Sequence, residues 1–156
     1  MQASKNQIIF TLLFIHISIL LSAYYIQYIL KVPPCPMCQY QRIPYFLTVL
    51  MLGIFFFNII NFKKLILVLI ILSTLNIAIS FYHVGIEQGF LNELTSCKDD
   101  LGASNTQELL KELNKKGVVS CKEVNFRIFG FSLATLNFLV NIALVLFYSI
   151  ILKYEK

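Results

Sequence analysis

Charged side chains are scarce in this chain of 156 residues, and their scarcity argues against a soluble fold. Aspartate, glutamate, lysine and arginine together make up 13% of the sequence, whereas hydrophobic residues make up 58%. A water-soluble domain of this length carries about a quarter charged residues. One small core could not absorb this excess of apolar side chains, so the composition indicates a small polytopic membrane protein.

Acidic residues are missing from most of the chain, and tryptophan is missing from all of it. No carboxylate side chain occurs between Met1 and Tyr82, and seven of the eight acids fall between residues 84 and 128. The net charge of +5 comes without a clustered basic face and interleaved aromatics, so it gives no signal of nucleic-acid binding. Tryptophan is absent, which leaves tyrosine and phenylalanine as the aromatic residues for the membrane interfaces.

What the chain has instead is a series of long apolar runs. They cover residues 8–30, 44–60, 65–82 and 128–152. Each is within or near the roughly 17–25 residues that a spanning helix needs, and the strict alternation of barrel strands is absent. We therefore expect an all-α membrane protein, a four-transmembrane-helix bundle forming one domain over residues 1–156. Its two long connections are residues 31–43 and 83–127.

A few polar residues interrupt the apolar runs, among them His16, Asn76, Asn137 and Asn141. In a bundle surrounded by lipid, such side chains are expected at helix–helix contacts. A lone histidine within a span is more often a packed, neutral side chain than a catalytic one, and we expect this of His16.

The four cysteines, Cys35, Cys38, Cys97 and Cys121, all lie outside the predicted spans. Two crossings separate the first pair from the second, so both pairs should lie on one face and both termini on the other. The lysines at residues 63 and 64 mildly favour a cytoplasmic location for the turn at residues 61–64. Four cysteines on the opposite face suit an oxidising compartment. We therefore expect the cysteine-bearing loops on the external face.

A Cys-x-x-Cys pair is compatible with a metal site, a structural disulfide or redox chemistry. Zinc would need four ligands, and Cys97 and Cys121 are too far apart in sequence to form a second zinc knuckle, so no metal is predicted. A disulfide across so short a loop constrains little of the unfolded chain, and tight pairs are more often reactive. Two structural disulfides remain an alternative to redox chemistry.

The surroundings of Cys38 favour reactivity. Cys38 precedes the second apolar run, where a helix N-terminus would lower the pKa of its thiol. Arg42, four residues later, would lie on the same helical face and stabilise a thiolate further. Pro44 opposes this in part, because its ring clashes with a helix that already runs through Tyr40. If the regular helix begins only near Ile43, the dipole argument weakens.

The long second connection carries a helix signal of its own. Ser104 or Asn105 can cap a helix, a stripe of leucines follows, and Gly117 suits its end. These residues predict a short amphipathic helix on the membrane surface, or a solvated loop helix as the alternative.

Three stretches of the sequence resemble the disulfide bond formation protein B family, DsbB. They are CPMCQYQR at residues 35–42, YHVGIEQGF at residues 82–90 and FGFSLATLN at residues 129–137. The resemblance implies an enzyme of the bacterial inner membrane, with cysteine loops in the periplasm and both termini in the cytoplasm. It would pass electrons from a DsbA-like thioredoxin-fold thiol oxidase to membrane quinone, either ubiquinone or menaquinone.

The resemblance also implies a role for each cysteine. Cys97 would be attacked by the partner's thiolate, and Cys121 would be its pair and pass electrons to the first loop. Cys35 would exchange with the second loop, and Cys38 would face the quinone.

Three further residues are carried over from the family as quinone-binding. Arg42 would orient and polarise a quinone oxygen, while His83 and Glu87 occupy the stretch that lines the quinone site. Two other interpretations stay open. One is an enzyme similar to vitamin K epoxide reductase, and the other is a non-enzymatic membrane protein with structural cysteines or a metal site.

Overall fold

Helices account for most of the structure, a computed structural model. It describes residues 2–57, 59–92, 120–122, 124, 126–128 and 130–154. The helices are α1 Gln2–Tyr28, α2 Pro36–Tyr40, α3 Arg42–Phe55, α4 Phe62–Glu87 and α5 Leu133–Tyr154. Two short strands, β1 Arg127–Ile128 and β2 Phe131–Ser132, form an antiparallel pair just before α5. Cys97 and the predicted helix at residues 104–117 lie outside the described residues.

Within the part of the chain that the structure describes, three helices are long and apolar enough to cross a membrane, namely Lys5–Tyr28, Phe62–Glu87 and Leu133–Tyr154. The expectation of a helical membrane protein is thereby confirmed. The second apolar run differs, because α3 has 14 residues and is about 21 Å long. That is shorter than the roughly 30 Å hydrocarbon core of a bilayer. A fourth spanning helix is therefore not established.

A break at Gln41 separates α2 from α3. Pro44 cannot follow a continuous helix through Tyr40, and the structure resolves this conflict by ending α2 at Tyr40 and starting α3 at Arg42. Cys38 therefore lies in α2 and not at the start of the longer helix. The predicted dipole effect of that longer helix on Cys38 is correspondingly weakened.

Two predicted boundaries need correction at the end of the bundle that carries the cysteines. Helix α4 continues to Glu87, five residues past its predicted end, so His83 and Glu87 lie on a helix and not in a loop. Helix α5 begins at Leu133 and not at residue 128, because the preceding residues form the β1–β2 pair. Gly130, with φ of 85°, lies in the turn between the strands, where a side chain would be strained.

The core lies between α4 and its neighbours. Helix α4 packs along α5 and also against α3, and α3 in turn packs against α1. The fully buried apolar side chains include Ile9, Leu12, Leu52, Leu65, Ile66 and Leu69. His16 is buried as expected, with Nδ1 donating to the Leu12 carbonyl at 2.8 Å and Nε2 lying 3.2 Å from the Tyr148 hydroxyl.

Substituting Leu69 by alanine tests this packing. Leu69 is completely buried on α4, so Leu69→Ala should lower the free energy of unfolding by about 2 kcal/mol or more through the cavity that it leaves. Leu67 on the same helix is 43% exposed, and Leu67→Ala should change that free energy by less than about 0.5 kcal/mol. Denaturant unfolding in mixed micelles measures both. Equal losses for the two variants would contradict the orientation of α4.

Candidate active site

The chain between α1 and α2 presents Cys35 at the start of a helix. Lys31, with φ of 55°, turns the chain after α1, and two prolines at residues 33 and 34 lead to Cys35. Cys35 is extended and caps α2, while Pro36 occupies the first helical turn, where its missing N–H costs nothing. The Cys38 backbone N–H donates to the Cys35 sulfur at 3.3 Å. The Cys-x-x-Cys pair thus forms the first turn of α2.

Both cysteines of this pair are free thiols, and their sulfur atoms are 2.9 Å apart. The Cys35 thiol donates its hydrogen to the Cys38 sulfur. A disulfide requires a separation of about 2.05 Å, so the sulfurs need to approach by only about 0.9 Å for oxidation. The geometry suits reversible closure of the pair.

The shared hydrogen bond separates the pKa values of the two thiols. It raises the pKa of Cys35 to about 12, and burial of that thiol acts in the same direction. It lowers the pKa of Cys38, although burial opposes the shift. The negative charge of Glu87 also opposes it. Cys38 is therefore the cysteine that ionises first, while Cys35 retains its proton.

His83 lies beneath Cys35 in the last turn of α4 and is almost fully buried. Its Nε2 atom is 3.4 Å from the Cys35 sulfur and 3.6 Å from Glu87 Oε1. Its Nδ1 atom is 3.0 Å from the side-chain nitrogen of Gln41. His83 thus contacts the first cysteine directly, whereas its predicted role was in quinone binding.

Glu87 is anchored to the start of α5. The Ser132 hydroxyl donates to Glu87 Oε2 at 2.5 Å, and the Ser132 oxygen accepts the Thr135 backbone N–H at 3.1 Å. Glu87 therefore ties the end of α4 to the beginning of α5. Its other oxygen is the one that approaches His83.

Arg42 is directed towards α1. It donates from Nη1 to Gln27 Oε1 at 2.5 Å, and its guanidinium lies over the Tyr24 ring, 4.9 Å from the ring centre. These contacts connect the start of α3 with α1. Arg42 also lines the same cavity as Cys38, so it can act on a molecule bound there.

Cys121, from the segment before β1, packs against the first cysteine pair. It is 3% exposed and forms a buried cluster with Cys35 and Ile86, against which Cys38 also packs. The structure therefore brings together cysteines from both predicted loops. Cys97 is outside the described residues, and its distance from this cluster is left open.

A cavity of about 320 Å³ adjoins the three cysteines. Its walls are mostly apolar and come from α1 and α5, with Ile19 and Ala23 on one side and Leu136 and Val140 on the other. Its polar lining comprises Gln27, Gln41, Arg42, Tyr45, His83, Glu87 and Asn137. This volume is at the lower end of the range of about 300–1,000 Å³ for small-molecule sites.

The cysteine pair and His83 also form a candidate metal site. The two sulfurs and one ring nitrogen lie within 4.8 Å of one another. Tetrahedral zinc with bonds of about 2.3 Å would hold two sulfurs about 3.8 Å apart. The observed 2.9 Å is shorter and lies between that separation and the about 2.05 Å of a disulfide, so the geometry favours a redox pair over a metal centre.

Two residues of the site had no predicted part in it, although Asn137 was expected at a helix–helix contact. Gln41 is 6% exposed and bonds to His83, and Asn137 bonds to Gln41 at 3.1 Å. Both lie within the stretches that carry the family resemblance. Their polarity next to apolar runs was a signal, but the sequence does not say which partners they meet.

Comparisons with known proteins indicate one family. The family model described as "Disulfide bond formation protein DsbB" matches residues 5–151. A protein of Rickettsia prowazekii (strain Madrid E), named "Uncharacterized protein RP370", is 31% identical over 149 residues. The match covers 93% of this chain and 86% of that protein. No solved structure matches the chain significantly.

The unequal pKa values predict an order of alkylation. In the reduced protein at neutral pH, iodoacetamide should modify Cys38 faster than Cys35, because only the thiolate reacts. Cys35→Ala removes the hydrogen-bond donor, so the pKa of Cys38 should rise. Each unit of rise should slow alkylation about threefold, since lost thiolate outweighs gained nucleophilicity. Peptide mapping by mass spectrometry resolves the sites.

Gln39→Ala is the matched control, because Gln39 is an exposed residue of the same short helix. It should leave the order unchanged. Faster modification of Cys35 than of Cys38 in the unsubstituted protein would overturn the assignment of the ionised thiol.

Proposed function

This chain belongs to the DsbB family of disulfide bond formation proteins, and we propose that it is a protein dithiol:quinone oxidoreductase. It reoxidises a DsbA-like thioredoxin-fold thiol oxidase and passes the electrons to the membrane quinone pool. Relays of this kind are known to keep the bacterial periplasm oxidising. In the proposal the protein resides in the bacterial inner membrane, with cysteine loops in the periplasm and termini in the cytoplasm.

The observation that carries the proposal is the position of three cysteines on one largely apolar cavity. Cys35, Cys38 and Cys121 all line it. Such a cavity suits a lipid-soluble molecule with few polar atoms, because apolar walls favour its body and a few donors fix its orientation. Arg42 supplies N–H donors of the kind that carbonyl oxygens accept.

A quinone fits this lining and would supply a two-electron acceptor. Closing the Cys35–Cys38 disulfide releases two electrons and two protons, which matches what full reduction of such an acceptor consumes. Cys38 supports the first part of this step, because its lowered pKa provides a thiolate beside the cavity. Arg42 would orient the acceptor, while ubiquinone and menaquinone both meet these requirements.

Exchange between the two loops is supported by the buried cluster that Cys121 and Cys35 share. Thiol–disulfide exchange requires one sulfur to approach another directly, and these two side chains share a buried cluster. In the proposal Cys97 receives the electrons from the partner protein and pairs with Cys121. Cys121 then transfers them to Cys35.

Steady-state quinone reduction tests the proposed activity. A reduced thioredoxin-like thiol oxidase should reduce a soluble quinone in the presence of this protein, followed by quinone absorbance. Cys38→Ala and Cys97→Ala should each abolish turnover, because each removes one obligatory member of a sulfur couple. Gln39→Ala, at an exposed position of α2, should retain it. Turnover that persists in Cys38→Ala would refute the proposal.

Filling the cavity should affect the quinone and not the protein partner. Ala23 lines the cavity, so Ala23→Phe should raise the KM for quinone about tenfold, equivalent to about 1.4 kcal/mol. The KM for the thiol oxidase should not change. Ala78, exposed on α4, provides the control Ala78→Phe, which should alter neither constant. An unchanged quinone KM in Ala23→Phe would place the quinone elsewhere.

A further inference from the structure

A chain of hydrogen bonds links a backbone carbonyl of α4 to Cys35, and Asn137 donates towards both of its ends. Ser80 on α4 donates its hydroxyl hydrogen to the Asn76 carbonyl at 2.7 Å. This bond uses the only hydroxyl hydrogen of Ser80. The Ser80 oxygen must therefore accept a hydrogen bond from the side-chain nitrogen of Asn137, which is 2.7 Å away. The amide orientation of Asn137 is therefore determined, with its NH₂ group towards α4.

The opposite side of the Asn137 amide agrees with this orientation. Its oxygen accepts from the Tyr45 hydroxyl at 2.6 Å and from the Asn141 side chain at 3.1 Å. Turning the amide over would place its oxygen against the acceptor Gln41 Oε1 and its nitrogen against a donor.

The orientation of the Asn137 amide determines that of the Gln41 amide. Its nitrogen donates to Gln41 Oε1 at 3.1 Å, so the Gln41 nitrogen must face His83. An amide nitrogen only donates, and so Nδ1 of His83 must be the acceptor. The ring hydrogen of neutral His83 is then on Nε2, the atom that is 3.4 Å from the Cys35 sulfur.

We propose that Gln41, oriented by Asn137, is a positioning residue that fixes His83 as a hydrogen-bond donor to the Cys35 sulfur. Two N–H groups then converge on this sulfur, from the Cys38 backbone and from His83. The inference deepens the proposed function by giving His83 a role towards Cys35, and it rests on that function only for its part in turnover.

The two donors stabilise negative charge on Cys35. When a thiolate attacks the other sulfur of a disulfide that contains Cys35, the S–S bond breaks and Cys35 leaves with the bonding electron pair. The hydrogen bond to Cys38 and burial raise the pKa of Cys35 to about 12 even though the contact with His83 lowers it. Without the donor on His83, Cys35 would be a poorer leaving group still. A hydrogen bond to a charged atom is stronger than one to a neutral atom, so its loss is measurable.

Other ionisable groups around Cys35 and His83 come from four segments of the chain. Glu87 competes with Cys35 for the His83 Nε2 hydrogen, at 3.6 Å against 3.4 Å. The remaining groups in the cluster or on the cavity wall are Cys38, Arg42, Tyr45, Tyr82 and Cys121. All of these stay in place when only Gln41 is changed.

Nitrogen NMR of the labelled histidine rings tests the tautomer directly. His83 should carry its hydrogen on Nε2, whereas His16, which donates from Nδ1 to a carbonyl, should show the opposite tautomer and serves as an internal reference. Gln41→Glu replaces the donor with an acceptor, so a hydrogen should appear on Nδ1 of His83 and leave His16 unchanged. A hydrogen on Nδ1 of His83 in the unsubstituted protein would overturn the proposal.

Alkylation of Cys35 tests the consequence, in full-length protein with the other three cysteines changed to serine. Gln41→Met should raise the pKa of Cys35 and slow its reaction with iodoacetamide about threefold per unit of rise. The same substitution should have no effect when combined with His83→Phe, since Gln41 acts through the ring. Gln39→Met, at an exposed position of the same helix, should have no effect in either background.

A failure of this inference can be distinguished from a failure of the proposed function. Neither measurement uses quinone or a partner protein, so the proposed activity can fail while this arrangement is upheld. If Gln41→Met slows Cys35 equally with and without the His83 ring, Gln41 acts by general packing and the positioning role is refuted.

Discussion

Pro44 cannot accept a helix that already runs through Tyr40, because its ring would collide with the carbonyl of that residue. The chain therefore breaks at Gln41, and the five residues from Pro36 to Tyr40 form a separate short helix. At the start of this short helix, Cys35 caps the first turn, which brings its sulfur to 2.9 Å from that of Cys38. At the end of the helix, Gln41 is buried against His83. The short helix thus places both the cysteine pair and Gln41 at the site.

The bundle beneath the short helix is apolar, yet a continuous polar chain crosses it. Asn137 donates from its side-chain nitrogen both to Ser80 and to Gln41, and Gln41 in turn donates to His83, so the donor and the acceptor of each bond are determined. In lipid an unpaired polar group is costly, and this arrangement gives each of these four side chains a partner. The apolar surroundings thus enforce the orientation of a histidine at the reactive end.

The two cysteines of the pair have different pKa values for a local reason. Cys35 and Cys38 differ because one donates a hydrogen bond and the other accepts it. The same contact raises one pKa and lowers the other. This asymmetry places a thiolate next to the apolar cavity and a protonated thiol next to a histidine. Such an arrangement suits a cysteine pair that faces a lipid-soluble acceptor on one side and a second loop on the other.

Much of the fold and part of the site could be predicted from the sequence, because they depend on local chemistry. Apolar runs of spanning length predict helices, and the conflict between Tyr40 and Pro44 predicts a break. The predicted bounds of the second spanning helix were wrong. His83 and Glu87 were predicted in a loop, although they lie at the end of a helix. Helix ends depend on capping and on neighbouring segments, which hydrophobicity alone does not report.

Some features required the tertiary structure. The buried cluster of Cys121 and Cys35 includes residues 86 positions apart, and the bond between Asn137 and Gln41 joins residues 96 positions apart. Residue type establishes what each group can donate or accept, so the sequence by itself determined the chemistry that was possible: four thiols, membrane helices and a nearby cation. Only the packing of α3, α4 and α5 decided which donor meets which acceptor, because hydrogen bonds form between atoms about 3 Å apart whatever their distance along the chain.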